Sequence, residues 1–312
     1  MMIRKLNRFN LVLLSFLLLL IFESLFFVTD ALKVQSSELR GQKSEAQEQK
    51  RIKLTIEPKL ITLGETVSVK VEKLDNEKAT PKIFFQKTKH PVFLLSSGWY
   101  RTLIPISANF KPGDYELEVF YGKHVERVSL SVKDKQYPLQ ELTLPKQVAG
   151  LKASKTEKNQ VASVLSLYTP QKYWKGKFIF PSAGNLSTEY GVKRRVNGYI
   201  DPDYFHKGLD FAASQNSLVR APEDGKIVLA GIESKGFVVN GNCIFIDHGH
   251  GVISGYLHLS SLSVKKGELV KKGQLIGRVG STGIASGPHL HWGLYVLGKT
   301  VEPLIWTKRY IE

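Results

Sequence analysis

The sequence predicts a mostly β protein with two globular domains. Between Ile52 and Val132, short runs alternate apolar and polar residues, as in Thr66–Val71, and polar turns separate them. Further strand-like runs rich in aromatic and β-branched residues follow between residues 178 and 307. The clearest helical pattern is Ala153–Tyr168, which Thr169-Pro170 would end. At 312 residues, the chain is long enough for two hydrophobic cores.

The N-terminal 31 residues have the composition of a targeting segment. Basic residues precede a long apolar run that starts at Leu11 and, apart from Ser15 and Glu23, continues to Val28. Two alternatives stay open, a cleaved signal peptide and an inner-membrane anchor at residues 11–28, because the run is close to membrane-spanning length. Both predict an exported protein of the cell envelope or periplasm.

The rest of the chain divides by composition. Residues 32–51 are rich in Gln, Glu, Lys and Ser, which predicts a polar tether. Residues 52–133 contain about seven strand-like runs and predict an immunoglobulin-like β-sandwich that acts as a spacer, a substrate-positioning module or a partner-binding module. Residues 134–177 are expected to be a linker with a helix. Residues 178–307 are expected to form the second domain. They contain the side chains that could bind a metal ion or take part in catalysis.

Five side chains of that second domain could belong to a zinc site. His206 and Asp210 are four residues apart, so a loop that enters a strand could direct both at one ion. His289 and His291 are two apart on a strand-like run, which places both on the same face of a sheet. His258 ends another strand-like run. Imidazole and carboxylate suit zinc, and a site with three protein ligands keeps one position open for catalysis.

The other histidines are expected to have structural roles or to lie at the surface. His248 and His250 have the same spacing as the pair at 289 and 291, but glycines surround them between two apolar runs, which predicts a hairpin turn. His90 and His124 are expected to be ordinary surface or strand residues. The single Cys243 cannot form an intramolecular disulfide and is expected in the core.

Three segments taken in order resemble peptidase family M23, the lysostaphin or LytM type of zinc metallopeptidases. They are His206-Lys-Gly-Leu-Asp, Gly255-Tyr-Leu-His and Gly287-Pro-His-Leu-His-Trp, and matching motifs extend over residues 178–306. The resemblance implies a LytM-type antiparallel β catalytic domain of barrel-sandwich-hybrid character. It also implies an exported zinc metalloendopeptidase that cuts peptide stems or cross-bridges of bacterial peptidoglycan.

The same resemblance implies a role for each residue. His206, Asp210 and His291 would hold one Zn²⁺, and His258 and His289 would be the catalytic pair. Some family members use an upstream tyrosine to bind the oxyanion. The insert before His206 does not align unambiguously, so Tyr199 and Tyr204 are both candidates.

The resemblance and the composition also allow other functions and partners. Some LytM-type proteins are non-catalytic regulators that activate a separate cell-wall amidase, but these typically lose site positions that are all present here. A secreted peptidase against competing bacteria would share the chemistry. The net charge of +16 favours peptidoglycan, anionic envelope polymers or a membrane surface as partners. No nucleic-acid-binding motif accompanies this charge, so nucleic acid is not expected as a partner.

Overall fold

The computed structural model describes residues 52–74, 77–143, 150–201 and 204–312, and residues 52–312 form one compact unit. The predicted signal or anchor at residues 1–31 and the predicted tether at residues 32–51 lie outside the described residues. Within the described part of the chain, no helix has the length and apolar character needed to cross a membrane.

Two β-sheets form an N-terminal module. The four-stranded sheet has the order β1-β3-β7-β6, with strands β1 (Leu54–Glu57), β3 (Thr66–Glu72), β6 (Phe93–Leu94) and β7 (Trp99–Pro105). The five-stranded sheet has the order β2-β9-β8-β4-β5, with strands β2 (Ile61–Thr62), β4 (Lys82–Phe85), β5 (Thr88–His90), β8 (Gly113–Tyr121) and β9 (His124–Lys133).

The two sheets pack over one apolar core, to which Val69 of β3 and Val119 of β8 contribute fully buried side chains. In β3 the polar residues Thr66 and Ser68 are buried as well, and the Ser68 hydroxyl donates a hydrogen bond of 2.7 Å to the backbone carbonyl of Glu312 at the C-terminal tail. The described residues of this module contain nine strands, two more than the sequence predicted. Its immunoglobulin-like topology stays a prediction.

The segment that connects the modules contains more structure than predicted. The expected helix is confirmed as α1 (Lys155–Leu165), and it begins where the Ser154 hydroxyl accepts a hydrogen bond from the Glu157 backbone N–H. A strand that the sequence analysis did not predict, β10 (Leu139–Leu142), precedes it. This strand pairs in parallel with β12 (Lys193–Val196) of the C-terminal domain, and β13 (Tyr199–Ile200) completes a three-stranded sheet.

The C-terminal domain is built on a ten-stranded, antiparallel sheet, so the predicted mostly β fold is confirmed. Strands β11, β14, β21, β18, β17, β16 and β19 follow one another across it. Its strands are β11 (Asn185–Thr188), β14 (Gly208–Ala212), β15 (Leu218–Arg220), β16 (Gly225–Gly231), β17 (Asn242–Gly249), β18 (Val252–Leu262), β19 (Leu269–Val270), β20 (Leu275–Val279), β21 (His289–Val296) and β22 (Lys299–Val301). A short helix, α2 (Pro303–Lys308), follows.

Strand β21 is the buried strand at the centre of the candidate site. Five consecutive residues, 290–294, are buried, and Leu290, Trp292 and Leu294 among them are fully buried, as expected for a strand covered on both sides. Cys243 is also fully buried, which agrees with its expected place in the core, and burial raises the pKa of its thiol to about 12. Strand β21 is flanked by β14 and β18, so these three strands bring together the sequence segments that carry the candidate site.

Candidate metal and catalytic site

The three predicted metal ligands converge on one point. Asp210 of β14 lies directly opposite His291 of β21, and His206 lies two residues before β14 begins. The Asp210 Oδ1 atom is 2.9 Å from His206 Nε2 and 2.8 Å from His291 Nδ1, and the two nitrogens are 3.0 Å apart. All three residues are buried. Among the described residues, they are the group of His, Cys, Asp and Glu side chains close enough to share an ion.

A glycine makes this convergence sterically feasible. Gly208 lies opposite Gly293 where β14 and β21 approach closely. A Cβ atom at residue 208 would collide with the carbonyl oxygen of Trp292 and would lie 2.8 Å from His291 Nε2. The absence of a side chain therefore lets His291 stand beside β14.

Hydrogen bonds to backbone carbonyls indicate which nitrogen of His206 is free. His206 Nδ1 donates to the carbonyl of Glu189 at 2.8 Å, so in the neutral ring Nε2 presents a lone pair toward Asp210. A lone pair and a carboxylate oxygen at 2.9 Å repel one another unless a cation lies between them. Two imidazoles and one carboxylate are a donor set that suits zinc, so the residues present fit that ion.

The electrostatics of the three residues agree with a cation site. Burial alone would raise the pKa of Asp210, but its contacts with His206 and His291 hold that pKa well below its usual range. Burial lowers the pKa of His291, against the opposing effect of Asp210. The site therefore presents an ionised carboxylate and a neutral imidazole, which are the protonation states that a metal ion requires.

The two predicted catalytic histidines lie beside this group. The rings of His258 and His289 are 4.8 Å apart between centroids, and the His258 ring is 6.3 Å from the His291 ring. His258 Nδ1 donates to the carbonyl of Thr282, and His289 Nδ1 donates to the carbonyl of Gly287, each at 2.8 Å. A ring that donates from Nδ1 in its neutral form keeps a lone pair on Nε2, and that lone pair can accept a proton.

His258 is held in an unusual conformation. Its φ angle is +63°, in the left-handed region that β-structure residues other than glycine rarely adopt. Burial, together with the neighbouring His289 and His291, lowers the pKa of His258 to about 3, so the ring is neutral at pH 7. A strained backbone at a residue with a shifted pKa is typical of functional sites.

The two tyrosine candidates occupy different places. Tyr204 lines the same cavity as the five site residues, and its hydroxyl accepts a hydrogen bond of 3.4 Å from Arg194 Nη1. Tyr199 lies on β13, is 71% exposed and is not part of the cavity wall. The oxyanion role of either residue stays a prediction.

Arg194, which was not among the predicted site residues, forms an ion pair with the metal-site aspartate. Its Nη2 atom is 3.0 Å from Asp210 Oδ2, the carboxylate oxygen that faces away from the two histidines. In the sequence, Arg194 is one of three consecutive basic residues, and only the strand alternation of β12 separates it from its neighbours. No sequence signal distinguished it.

The alternative histidine pair lies elsewhere. The prediction that His248 is a turn residue is wrong, because β17 continues to Gly249; His248 is fully buried, donates from Nδ1 to the Asp224 carbonyl and contacts the Ser254 hydroxyl. His250 does lie in the turn, with a φ of +50°. Neither residue joins the metal group in the described structure.

The fold and the donor set together define a mostly antiparallel β domain with a candidate metal site. Residues 204–303 match the sequence profile of peptidase family M23. The chain therefore carries a peptidase family M23 domain over these residues.

Known proteins that are similar to this chain include two curated relatives and one solved structure. The DD-carboxypeptidase/endopeptidase Mpg of Neisseria meningitidis is 43% identical over 119 residues, which is 38% of this chain and 26% of Mpg. The murein hydrolase activator NlpD of Salmonella dublin is 34% identical over 151 residues, which is 48% of this chain and 35% of NlpD. A Pseudomonas aeruginosa structure assigned to peptidase M23 is 26% identical, with a TM-score of 0.59, and covers 80% of this chain and 96% of its own.

These matches differ in extent. The matched segments of the two curated relatives amount to about a quarter and a third of their own lengths. The Pseudomonas structure matches more of this chain than the C-terminal domain alone contains, so its likeness includes the N-terminal module.

Proposed function

We propose that this chain is an exported zinc metalloendopeptidase that hydrolyses peptide stems or cross-bridges of bacterial peptidoglycan. The observation that carries the proposal is the complete set of five residues around one cavity. Three buried donors converge within hydrogen-bond distance of one another, and two histidines with free Nε2 atoms lie beside them. The name of the Neisseria relative, an endopeptidase, supports the same reaction class.

In this reaction, three residues would bind the metal ion and two would transfer protons. His206, Asp210 and His291 would hold Zn²⁺, which when bound supplies Lewis-acid polarisation of a carbonyl and lowers the pKa of water. His258 and His289, both with a free Nε2, would accept a proton from the attacking water and return one to the leaving amine. Because both rings are fixed through Nδ1 by backbone carbonyls, their orientation is set before the substrate arrives.

A second candidate function is a non-catalytic regulator that activates a separate amidase, and the similarity to the activator NlpD favours it. A regulator needs a binding surface but no converging donors and no aligned proton acceptors. The intact donor set and the positioned histidine pair therefore support the enzyme. The charge of +16 supports anionic envelope polymers or a membrane surface as additional partners, and electrostatic binding of that kind should weaken with added salt.

Digestion of purified peptidoglycan tests the proposal. The zinc-loaded chain should release products that mass analysis identifies as cut at peptide bonds, and a chelator should abolish their release. If the zinc-loaded chain releases nothing but raises the activity of an added amidase, the regulator is the correct function and the enzyme is not.

A further inference from the structure

We propose that the segment between the two modules supports the active site at two separate points, so that it is more than a connector. Gln140 of strand β10 contacts Arg194 of β12, and Arg194 forms the ion pair with the metal-site carboxylate. Helix α1 holds, through Glu157, the loop against which His258 rests. The metal-affinity part of this inference stands on the donor geometry alone, and the turnover part rests on the proposed function.

The first support is a chain of side-chain contacts from β10 to the metal group. Gln140 of β10 lies opposite Arg194 of β12 in the parallel pair, and its Oε1 accepts a hydrogen bond of 3.2 Å from Arg194 Nε. Arg194 Nη2 reaches Asp210 Oδ2 at 3.0 Å, and both side chains are largely buried.

This contact fixes how Asp210 presents its carboxylate. With Oδ2 paired to the guanidinium, Oδ1 is the oxygen that faces His206 and His291. Groups that hydrogen-bond a metal ligand fix its orientation, and their loss typically weakens metal affinity. Gln140 contributes by holding the guanidinium in place, because Arg194 Nε has its hydrogen-bond partner on β10 and not in the site.

The second support reaches the site from helix α1. Glu157 is 1% exposed, and its carboxylate accepts hydrogen bonds from the backbone N–H groups of Asn240 at 2.7 Å and Val239 at 3.2 Å. The carbonyl of Asn240 in turn accepts the backbone N–H of His258 at 2.9 Å. Val239 and Asn240 both line the cavity that contains His258.

This contact acts where the backbone is strained. A residue at φ +63° keeps that conformation only when its surroundings over-determine it. The hydrogen bond from the His258 backbone N–H to the Asn240 carbonyl is one such constraint, and Glu157 holds the same residue, Asn240, by its backbone N–H. Burying a carboxylate is costly unless it is hydrogen-bonded. The two charge-assisted hydrogen bonds from these N–H groups to the buried carboxylate therefore fix the position of this loop.

A neighbouring ion pair joins the same two strands without reaching the metal site. Glu141 and Arg195 occupy the next position in the same β10–β12 register and form an ion pair, with side chains 63% and 37% exposed. This pair joins the same strands but does not contact the metal group. It therefore provides a matched control for Gln140 and Arg194.

The metal arm of the test measures zinc affinity by competition with a chromogenic chelator, in the full chain. Arg194→Ala should weaken zinc binding by about 10- to 100-fold, the usual range for an outer partner of a metal ligand. Gln140→Ala should weaken it by a smaller factor, and Arg195→Ala should leave it within about twofold of the wild type. Equal affinity in Arg194→Ala and Arg195→Ala would overturn this support.

Two further measurements keep this arm decisive if Arg194→Ala does not fold. Arg194→Lys keeps the charge but loses the planar contact to both partners, and it should still weaken zinc binding. The visible spectrum of the Co²⁺-loaded protein should change in Arg194→Lys and stay unchanged in Arg195→Ala. An unchanged spectrum and affinity in Arg194→Lys and Gln140→Ala would contradict the proposal.

The helix arm uses Glu157→Gln, with Lys158→Ala on the exposed side of the same helix as the control. Glu157→Gln should accelerate hydrogen exchange of the peptides that contain residues 237–241 and 258, while zinc affinity stays within about twofold of the wild type. It should also lower kcat by about tenfold or more, with KM unchanged. Exchange identical to that of Lys158→Ala would overturn this support.

These readouts separate the inference from the proposed function. If the wild type hydrolyses no peptidoglycan, the proposed function fails, but zinc affinity and hydrogen exchange still decide both supports. If the wild type is active and all variants match their controls, the supports fail and the enzyme assignment stands.

Discussion

At the residue scale, the site is organised by backbone carbonyls that select the free nitrogen of each imidazole. His206, His258 and His289 each donate Nδ1 to a carbonyl oxygen at 2.8 Å, which leaves Nε2 facing the cavity side. His291 differs, because its Nδ1 faces Asp210 and His206. The same residue type therefore serves as ligand or as proton acceptor according to its neighbours.

This arrangement predicts different outcomes for two nearby histidines. His291→Ala removes a donor from a three-donor group and should weaken zinc binding by more than about 100-fold, beyond the range for losing an outer partner. His289→Ala should keep zinc affinity close to that of the wild type. Metal content after dialysis against a weak chelator checks both. Equal metal loss in the two variants would place His289 among the ligands.

At the element scale, the site depends on how closely β14 and β21 approach. Asp210 and His291 face each other because the two strands pair in register from Gly208 to Ala212. A shift of one residue in this pairing would turn one ligand to the other face of the sheet. The tight packing at Gly208 opposes such a shift.

Gly208→Ala tests this dependence. The added methyl group would meet the Trp292 carbonyl oxygen and lie 2.8 Å from His291 Nε2, so strands and ligand must move. We expect a loss of about 1–3 kcal/mol in the free energy of unfolding, together with weaker zinc binding. Gly287→Ala is the control, since a Cβ there meets no atom within 4 Å. Urea denaturation and chelator competition measure both effects, and parity between the two variants would refute the packing argument.

At the scale of the whole molecule, buried polar groups join the two modules. Arg101 of β7 is fully buried and donates from Nη2 to His250 Nδ1 at 2.5 Å, and its guanidinium lies over the Trp174 ring. The His250 ring stacks on Phe93 of β6, with centroids 4.2 Å apart. A turn residue of the C-terminal domain is thus enclosed by the N-terminal module, which explains its burial.

Two buried histidines outside the metal site contribute to how stability depends on pH. Burial lowers the pKa of His248 to about 4, and burial together with Arg101 lowers that of His250 to about 4, from 6.5. The unfolded chain therefore binds more protons between pH 6.5 and 4, and stability falls as the pH falls through this window. For His248 alone the loss should reach about 3 kcal/mol by pH 4.

Urea denaturation of the metal-free protein at several pH values between 7 and 4.5 checks this expectation. His248→Gln should reduce the decline in the free energy of unfolding as the pH falls, whatever its effect at pH 7. His124→Gln is the control, because that side chain is only half-buried at the start of β9. If the decline in His248→Gln parallels that of the wild type, burial of a neutral His248 does not cause it.

The sequence was sufficient for the donor set but not for its support. Residue spacing within short motifs brought out five candidates, and the resemblance to peptidase family M23 implied that His206, Asp210 and His291 among them are the ligands. Alternation predicted the strands that carry them. The carbonyl partners at Glu189 and Thr282 could not be predicted, since every residue has a carbonyl and only the fold selects one.

Long-range pairing explains the other differences. Strand β10 has the sequence Leu-Gln-Glu-Leu, which is short and half polar, and it forms only because β12 offers an open edge. Arg194 gains its role from that same pairing. His248 was expected in a turn because glycines follow it, yet the strand continues through Gly249 before the chain reverses.

The central claim is that the five residues form a working catalytic site, and peptide release from purified peptidoglycan at matched zinc content tests it most directly. The wild type should release peptides, while His289→Ala, loaded with the same amount of zinc, should release them at least about 100-fold more slowly because a proton acceptor is missing. Peptide release at equal rates by the two zinc-loaded proteins, or none by the wild type, would contradict the account.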